Sequence, residues 1–293
     1  MTRIAYLDGE YLPLAEAKVS ALDRGFLFGD GIYEVAGVLD GALVDADGHL
    51  ARFDRCLREI DIRLPFPIER FTGIALELVA RNALAEGLVY FQVTRGAGER
   101  AFATATDPAP TVFGFTQARS IRHSPQVATG MALKSVPDLR WKRRDVKSIS
   151  LLAQVLATRE ALAAGADEAL MVEDGFVTEG GSSSIMIVDD AGAIIARPLG
   201  ESILPGITRQ SLAALCAERQ IRFVERPFTL EEAFAAREVF LTSASKFVMP
   251  VTRIDGRPIA DGAPGALTLR LRDIYMEHAE ATAVRGPAAA AGG

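Results

Sequence analysis

The sequence predicts a mixed α/β fold in two parts, and three features carry that reading. Asp-Gly turns between strand-like runs open the chain, and helical and strand-like periods then alternate through most of the rest. A polar, turn-prone stretch, ARSIRHSPQVATG, separates two halves that each hold both kinds of element. We expect an α+β N-terminal domain over residues 1–119, a linker over 120–130, a C-terminal α/β domain over 131–283 and a flexible tail over 284–293. A chain of 293 residues is long enough for two such domains.

In order along the chain, RIAYL-DG-EYLPL and IYEVAGVL-DG-ALV predict two antiparallel hairpins, because Asp-Gly accepts the left-handed turn conformations that join strands tightly. From Asp47 the period changes: Leu50, Phe53, Leu57 and Ile60 recur at helical spacing, and Pro65 and Pro67 end the helix. A second helix is expected through about Glu86. LVYFQVTR and TVFGFTQ follow as strands, with a Gly-, Ala-, Thr- and Pro-rich loop between them. MALKSV reads as a strand, and after Lys147 a helix runs through Ala164, where Gly165 can cap it. EALMVE, the run FVTEGGSSSIMIVDD and AIIAR have strand character. PGITRQSLAALCAERQ is a helix opened by Pro205 and Gly206, and Thr229 to Glu232 has capping-box spacing. EVFLTS and MPVTRI supply late strands, and ALTLRLRDIYMEHAEATA a last helix. The tail VRGPAAAAGG is of low complexity and is expected to fray.

The bulk composition excludes several classes. With 49% hydrophobic and 24% charged residues the chain is globular rather than disordered. A formal charge of −6, with WKRRDVK as the densest basic run, argues against nucleic acid as a partner. The N-terminus MTRIAYLDGE has no apolar signal region, and no apolar run is long enough to span a bilayer, so no membrane partner and a cytoplasmic location are expected. Cys56 and Cys216 read as buried thiols in a reducing compartment. His49, His123 and His278 form no spaced cluster, so no metal is expected and their default role is structural or superficial. GAGERA has the spacing of a dinucleotide-binding loop. The next strand comes too soon for a crossover helix, however, and a plain loop is expected.

One residue resists a bulk reading. In RRDVKSISLL, Lys147 stands just before an apparent helix start, where the positive end of the helix dipole would lower its pKa and favour the neutral amine of Schiff-base chemistry. On spacing alone a solvated surface lysine is the ordinary alternative.

Other segments bear on the choice: FLFGDGIYEV, HLARFDR, YFQVTRGAGER, RWKRRDVKSISLLAQVLA, VTEGGSSS, ILPGITR and FLTSAS. Together and in this order the chain resembles the fold-type IV pyridoxal-phosphate enzymes, and within them most of all the D-amino acid transaminases. The resemblance implies a barrel-like C-terminal domain and pyridoxal 5'-phosphate as cofactor. Lys147 would hold it as a Schiff base and move the proton at the substrate Cα, while Glu179 would serve its ring nitrogen. Arg52, Ile207, Thr208, Ser243 and Ala244 fall at the phosphate segments, and Ser182 also at the cofactor. Ala244 stands where these enzymes often have threonine and can offer only its backbone.

On the substrate side, Tyr33 and Arg100 match residues that hold the substrate carboxylate. Phe102 replaces the histidine of the family's R-x-H pattern, which implies a more apolar pocket open to bulky D-amino acids or (R)-amines. Ser184 replaces an asparagine, and Trp141 can pack near the site or fill core. The implied reaction moves an amino group from a D-amino acid donor to a 2-oxo acid such as 2-oxoglutarate or pyruvate by a ping-pong route. The implied assembly is a homodimer in which the Arg100 loop reaches the neighbouring subunit's site. Alternatives of the same fold are an aminodeoxychorismate lyase, whose lysine segment usually differs from DVKSIS, a branched-chain L-amino acid transaminase, and a catalytically silent binding protein.

Overall fold

The computed structural model of the chain describes residues 2–103 and 108–286. Two compact units are present, one made of Met1–Ser120, Val146–Ser150 and Ala279–Gly293, the other of Ile121–Asp145 and Leu151–His278.

The first unit contains β1 (Ile4–Leu7), β2 (Glu10–Pro13), α1 (Arg24–Phe28), β3 (Gly31–Leu39), β4 (Ala42–Leu43), α2 (Ala46–Glu59), α3 (Arg70–Arg81), β5 (Glu86–Thr94) and β6 (Thr111–Ala118). The strands form an antiparallel sheet in the order β2-β1-β6-β5-β3-β4. Both Asp-Gly turns are formed, with φ of 48° at Asp8 and Asp40 and positive φ at Gly9 and Gly41. Phe53 of α2 and Phe71 of α3 meet edge to face at 4.8 Å, and Phe71 meets Phe91 of β5 at 5.0 Å, so both helices pack on one sheet face. The second helix ends at Arg81, short of Glu86. The side chain of Asn82 accepts from Ile4 N at 2.7 Å and donates to Ile4 O and Leu78 O at 2.9 Å, which ties the helix end to β1 and lets β5 begin at Glu86.

β4 pairs only with Val38 and Leu39, so the other end of the same β3 edge is open to a further strand. The segment Val146–Ser150 takes it: Tyr33 N donates to Lys147 O at 3.0 Å, Ile149 N donates to Gly31 O at 3.1 Å, and Ile32 bridges Ser148. Lys147 therefore stands on an irregular segment clipped to β3, with Ser148 N donating to Val146 O at 2.8 Å across it. The next helix begins only at Leu152, so the expected helix-dipole effect on this lysine has no geometric basis. The expected fraying also fails at its first residue, because Val284 and Leu43 exchange backbone hydrogen bonds of 2.8 and 2.9 Å. Residues 287–293 of that tail lie outside the described residues.

The second unit contains α4 (Gln126–Thr129), β7 (Met131–Pro137), α5 (Leu152–Ala163), β8 (Glu168–Glu173), β9 (Phe176–Gly180), β10 (Ser184–Val188), β11 (Ile194–Ala196), α6 (Ile207–Glu218), β12 (Phe223–Glu225), α7 (Leu230–Ala235), β13 (Glu238–Ser243), β14 (Phe247–Ile254), β15 (Arg257–Pro258) and, as far as His278, α8 (Ala266–Thr282). Its sheet runs β12-β11-β10-β13-β14-β7-β8-β9, with β15 on β14. FVTEGGSSSIMIVDD is not one run but two strands, broken where Gly180 N bonds Ser183 O at 2.8 Å. β9 and β10 stand five strand spacings apart in this order, about 24 Å in a flat sheet, yet residues 180 to 184 reach at most about 14 Å. The sheet must curl, as a barrel-like domain requires.

Gly165 follows α5 at φ +75°, and Thr229 and Glu232 form the capping box. Cys56 and Cys216 are buried free thiols, and Trp141, 48% exposed, does not fill core. No helix among the described residues is long and apolar enough to cross a membrane.

Phe247 holds φ +57°, a backbone state rarely tolerated by aromatic residues. Its ring is fully buried against Tyr275 at 5.0 Å, and buried Arg272 donates to the carbonyls of Lys246 at 3.0 Å and Val248 at 2.8 Å on either side, and to that of Ile121. Arg272→Met strands these buried acceptors. A loss of about 3 kcal/mol is expected, read as a lower urea midpoint at unchanged m-value; an unchanged midpoint would refute this role.

Candidate active site

Consecutive residues of a strand face opposite sides, so Tyr33 and Glu34 of β3 enter different surroundings. Tyr33 lies on the face away from α2 and α3, where its ring stacks on Tyr90 at 5.5 Å and Tyr90 meets Phe115 at 4.9 Å. Burial, then the neighbouring Tyr33 oxygen, raises the pKa of Tyr90 and keeps its phenol protonated. Lys147 Nζ sits 4.1 Å from the centre of the Tyr33 ring, and its side chain forms no ion pair with a described residue. Lys147 N points at Cys56 Sγ, 3.4 Å away, and burial raises the pKa of that thiol and keeps it protonated.

Glu34 faces the helices and is buried. Its carboxylate accepts from Arg52 Nε at 2.9 Å and a second guanidinium nitrogen at 2.6 Å, from His49 Nδ1 at 2.9 Å and from Val35 N at 2.9 Å. Burial alone would raise its pKa, but the Arg52 charge and His49 outweigh that and hold it well below the usual carboxylate range. Arg52 is thus 7% exposed and oriented by an acid, not one of several arginines on a solvated helix face. His49, which the sequence leaves as structural or superficial, is a buried member of this cluster. The missed signal is H-x-x-R spacing on α2 opposite an acid in a half-buried strand.

Arg100 is exposed and Phe102 is 88% exposed. Phe102 lies 5.6 Å from the Phe28 ring, and the Arg100 guanidinium lies 5.5 Å from the same ring. GAGER is the expected loop: Gly96 at φ +96° lies so close to Ala109 O that a Cβ would overlap it, which only glycine permits.

In the second unit Glu179, on β9, is 4% exposed and pairs with Arg140 at 2.5 Å. Arg140 also pairs with Asp138 at 2.7 and 3.0 Å, and Asp138 accepts from Thr178 Oγ1 at 2.6 Å. Arg144 lies 3.3 Å from Asp138 and bonds Glu173 at 2.9 and 3.0 Å, which completes a ladder of alternating charge. Burial raises the Glu179 pKa, and Arg140 offsets part of that rise. None of Asp138, Arg140 or Arg144 carries a recognisable local motif.

Ile207 and Thr208 begin α6, whose first N–H groups have no intrahelical acceptor, and Thr208 Oγ1 is buried without a partner. A Cβ on the N-cap Gly206 would lie 2.7 Å from Ser184 Oγ, so Ser184 backs the helix start closely. Thr242 Oγ1, next to Ser243, is likewise buried and unpartnered. Ser243 Oγ and Ser245 Oγ are 3.3 Å apart around a half-buried Ala244. Ser182 is exposed, and its N–H donates to Glu168 Oε1 at 3.2 Å, so only its hydroxyl remains for a ligand. Glu168 also accepts from Ser183 Oγ at 2.6 Å and Lys246 Nζ at 2.7 Å, which holds the 181–183 turn and the 243–246 turn together. A helix start with an unpaired hydroxyl is a receptor for a dianion.

The family model described as amino-transferase class IV matches residues 31–254. The D-alanine aminotransferase of Staphylococcus epidermidis is 36% identical over 285 residues, covering 97% of this chain and 100% of that protein. The D-alanine aminotransferase of Bacillus licheniformis is 38% identical over 261 residues, covering 89% and 92%. Among solved structures, the branched-chain aminotransferase of the archaeon Thermoproteus uzoniensis with norvaline superposes with a TM-score of 0.82 at 25% identity, covering 94% of each chain.

Because the folded pKa of Glu34 is depressed, its stabilisation is complete above the ordinary glutamate value of about 4.3 and is lost as pH falls below it. Glu34→Gln removes that acid limb and costs about 3–5 kcal/mol near neutral pH by leaving buried Arg52 without its counter-ion. Urea midpoints measured across pH check both effects; parallel curves for the two proteins would refute the pairing.

Proposed function

The chain belongs to the class IV aminotransferases, and from that premise we propose that it transfers the amino group of a D-amino acid to a 2-oxo acid such as pyruvate or 2-oxoglutarate. Pyridoxal 5'-phosphate is the cofactor. The residues fit it: the unpartnered Thr208 hydroxyl and the open N–H groups of Ile207 and Thr208 suit its phosphate, and Glu179 is a buried carboxylate suited to its ring nitrogen. Arg52, oriented by Glu34, would serve the phosphate as well, with Ser182, Ser243 and Ala244 at the remaining edges. The observation that carries the donor class is the likeness to D-alanine aminotransferases over nearly the whole chain.

The bound cofactor supplies an electron sink for the pair left when the donor Cα–H bond breaks. The chain supplies the rest. Lys147 Nζ takes the Cα proton and later returns one, and the Tyr33 ring beneath it keeps the amine on one line of approach. Arg100 and Tyr33 hold the donor carboxylate, which orients the Cα–H bond. Phe102 puts an apolar ring where an imidazole would donate, so bulky D-amino acids, and (R)-amines without a carboxylate, are acceptable donors. We assign a homodimer, with the Arg100 loop serving the neighbouring copy.

A second reading, L-branched-chain donors, rests on the structural likeness to the Thermoproteus uzoniensis branched-chain enzyme. The visible Schiff-base band decides between them when D-alanine, D-phenylalanine, (R)-1-phenylethylamine and their mirror images are added separately. D and R donors are expected to bleach it; bleaching by L donors alone would install the second reading, and pyruvate release without an amino acceptor would indicate a lyase. Lys147→Ala should lose the band and lower turnover by roughly a thousandfold or more; unchanged turnover would refute the mechanism.

A further inference from the structure

We propose that Phe28 is the positioning residue for Arg100: its ring, held by Arg24, is the platform on which the guanidinium that reads the substrate carboxylate is set in advance. The inference rests on the assignment of Arg100 to that carboxylate. α1 is a short helix anchored at both ends. Asp23 accepts from Gly25 N at 2.8 Å, from Thr94 Oγ1 at 2.9 Å and from Thr111 Oγ1 at 2.7 Å, which bolts the helix start to β5 and β6. At the other end Gly29 turns the chain at φ +68°, and Asp30 accepts from Arg24 Nε at 2.8 Å and Arg95 Nε at 3.0 Å. Phe28 therefore projects from a fixed element.

Around that ring three groups converge. The Arg24 guanidinium lies 4.9 Å from its centre, the Arg100 guanidinium 5.5 Å, and the Phe102 ring 5.6 Å. Arg24, 5% exposed, also donates to Ala101 O at 2.6 Å and Phe102 O at 3.1 Å, so one buried arginine holds both the ring and the loop that stacks on it. Arg100 and Phe102 are themselves exposed, so core burial does not order them. The contacts with Phe28 do. A long exposed arginine loses much rotamer freedom when it grips a carboxylate, and stacking it beforehand reduces that loss. With Phe102 in place of a hydrogen-bond donor, stacking is the means of orientation this chain retains.

The test measures binding of 3-phenylpropionate, a carboxylate with no amine, and of 3-phenylpropanol, its uncharged counterpart, to the holoenzyme by calorimetry. Phe28→Leu should weaken the acid about five- to tenfold, within the range of a cation–π contact, and leave the alcohol unchanged, while Phe28→Tyr keeps the ring and the affinity. If Phe28→Leu does not fold, Phe28→Met drops the ring with less change of shape and is read the same way. An unchanged acid affinity in Phe28→Leu, alongside a loss in Arg100→Ala, would overturn the positioning role and leave the carboxylate assignment standing. Equal loss for acid and alcohol would also overturn it, since that is packing alone. If Arg100→Ala itself leaves acid binding unchanged, the carboxylate assignment fails and the inference goes with it.

Discussion

The pairing of Val146–Ser150 with the open end of the β3 edge is the interaction on which the placement of Lys147 depends. It clips Lys147 to the edge of β3 and not to a helix, because the backbone groups on both sides of it, Lys147 O and Ile149 N, bond Tyr33 N and Gly31 O. The register then sets the rest. With Tyr33 N bonded to Lys147 O, the lysine side chain is placed over the Tyr33 ring, and the alternation of β3 sends the next residue, Glu34, to the opposite face. One strand thereby carries the Lys147 amine on one side and an ordered guanidinium on the other.

Each unit pairs its buried charges tightly. In the first, Glu34 is surrounded by Arg52, His49 and a backbone N–H. In the second, Glu179 ends a ladder through Arg140, Asp138, Arg144 and Glu173. Such pairs add little net stability, because desolvation consumes most of the Coulomb gain. Their contribution is direction: a carboxylate or guanidinium bound at two or three points cannot swing away from a ligand. The Glu168–Lys246 pair does the same for two turns that carry serines.

Likeness in sequence and likeness in backbone lead to relatives with different names. Relatives named for D-alanine share the greater identity, while the structural likeness is to a branched-chain enzyme at 25% identity. Function is set by side chains more than by fold, and here Arg100, Phe102 and Phe28 form a small cluster whose chemistry differs from an arginine–imidazole pair.

By itself the sequence determined the local elements and the family. Asp-Gly turns, helix caps and hydrophobic periods act over a few residues, and segments such as DVKSIS and VTEGGSSS carry the resemblance without any geometry. Its local errors have distant causes: α3 stops early because Asn82 reaches β1, and the long strand of residues 176–190 breaks because the curling sheet needs a turn there. Only the tertiary structure decided the partners. Glu34 with Arg52, Arg140 with Glu179 and Phe28 with Arg100 are 18, 39 and 72 residues apart, and no periodicity links such positions. A buried charge or an exposed guanidinium is oriented by whatever the fold brings against it, and that is a property of the packed chain and not of any stretch of it.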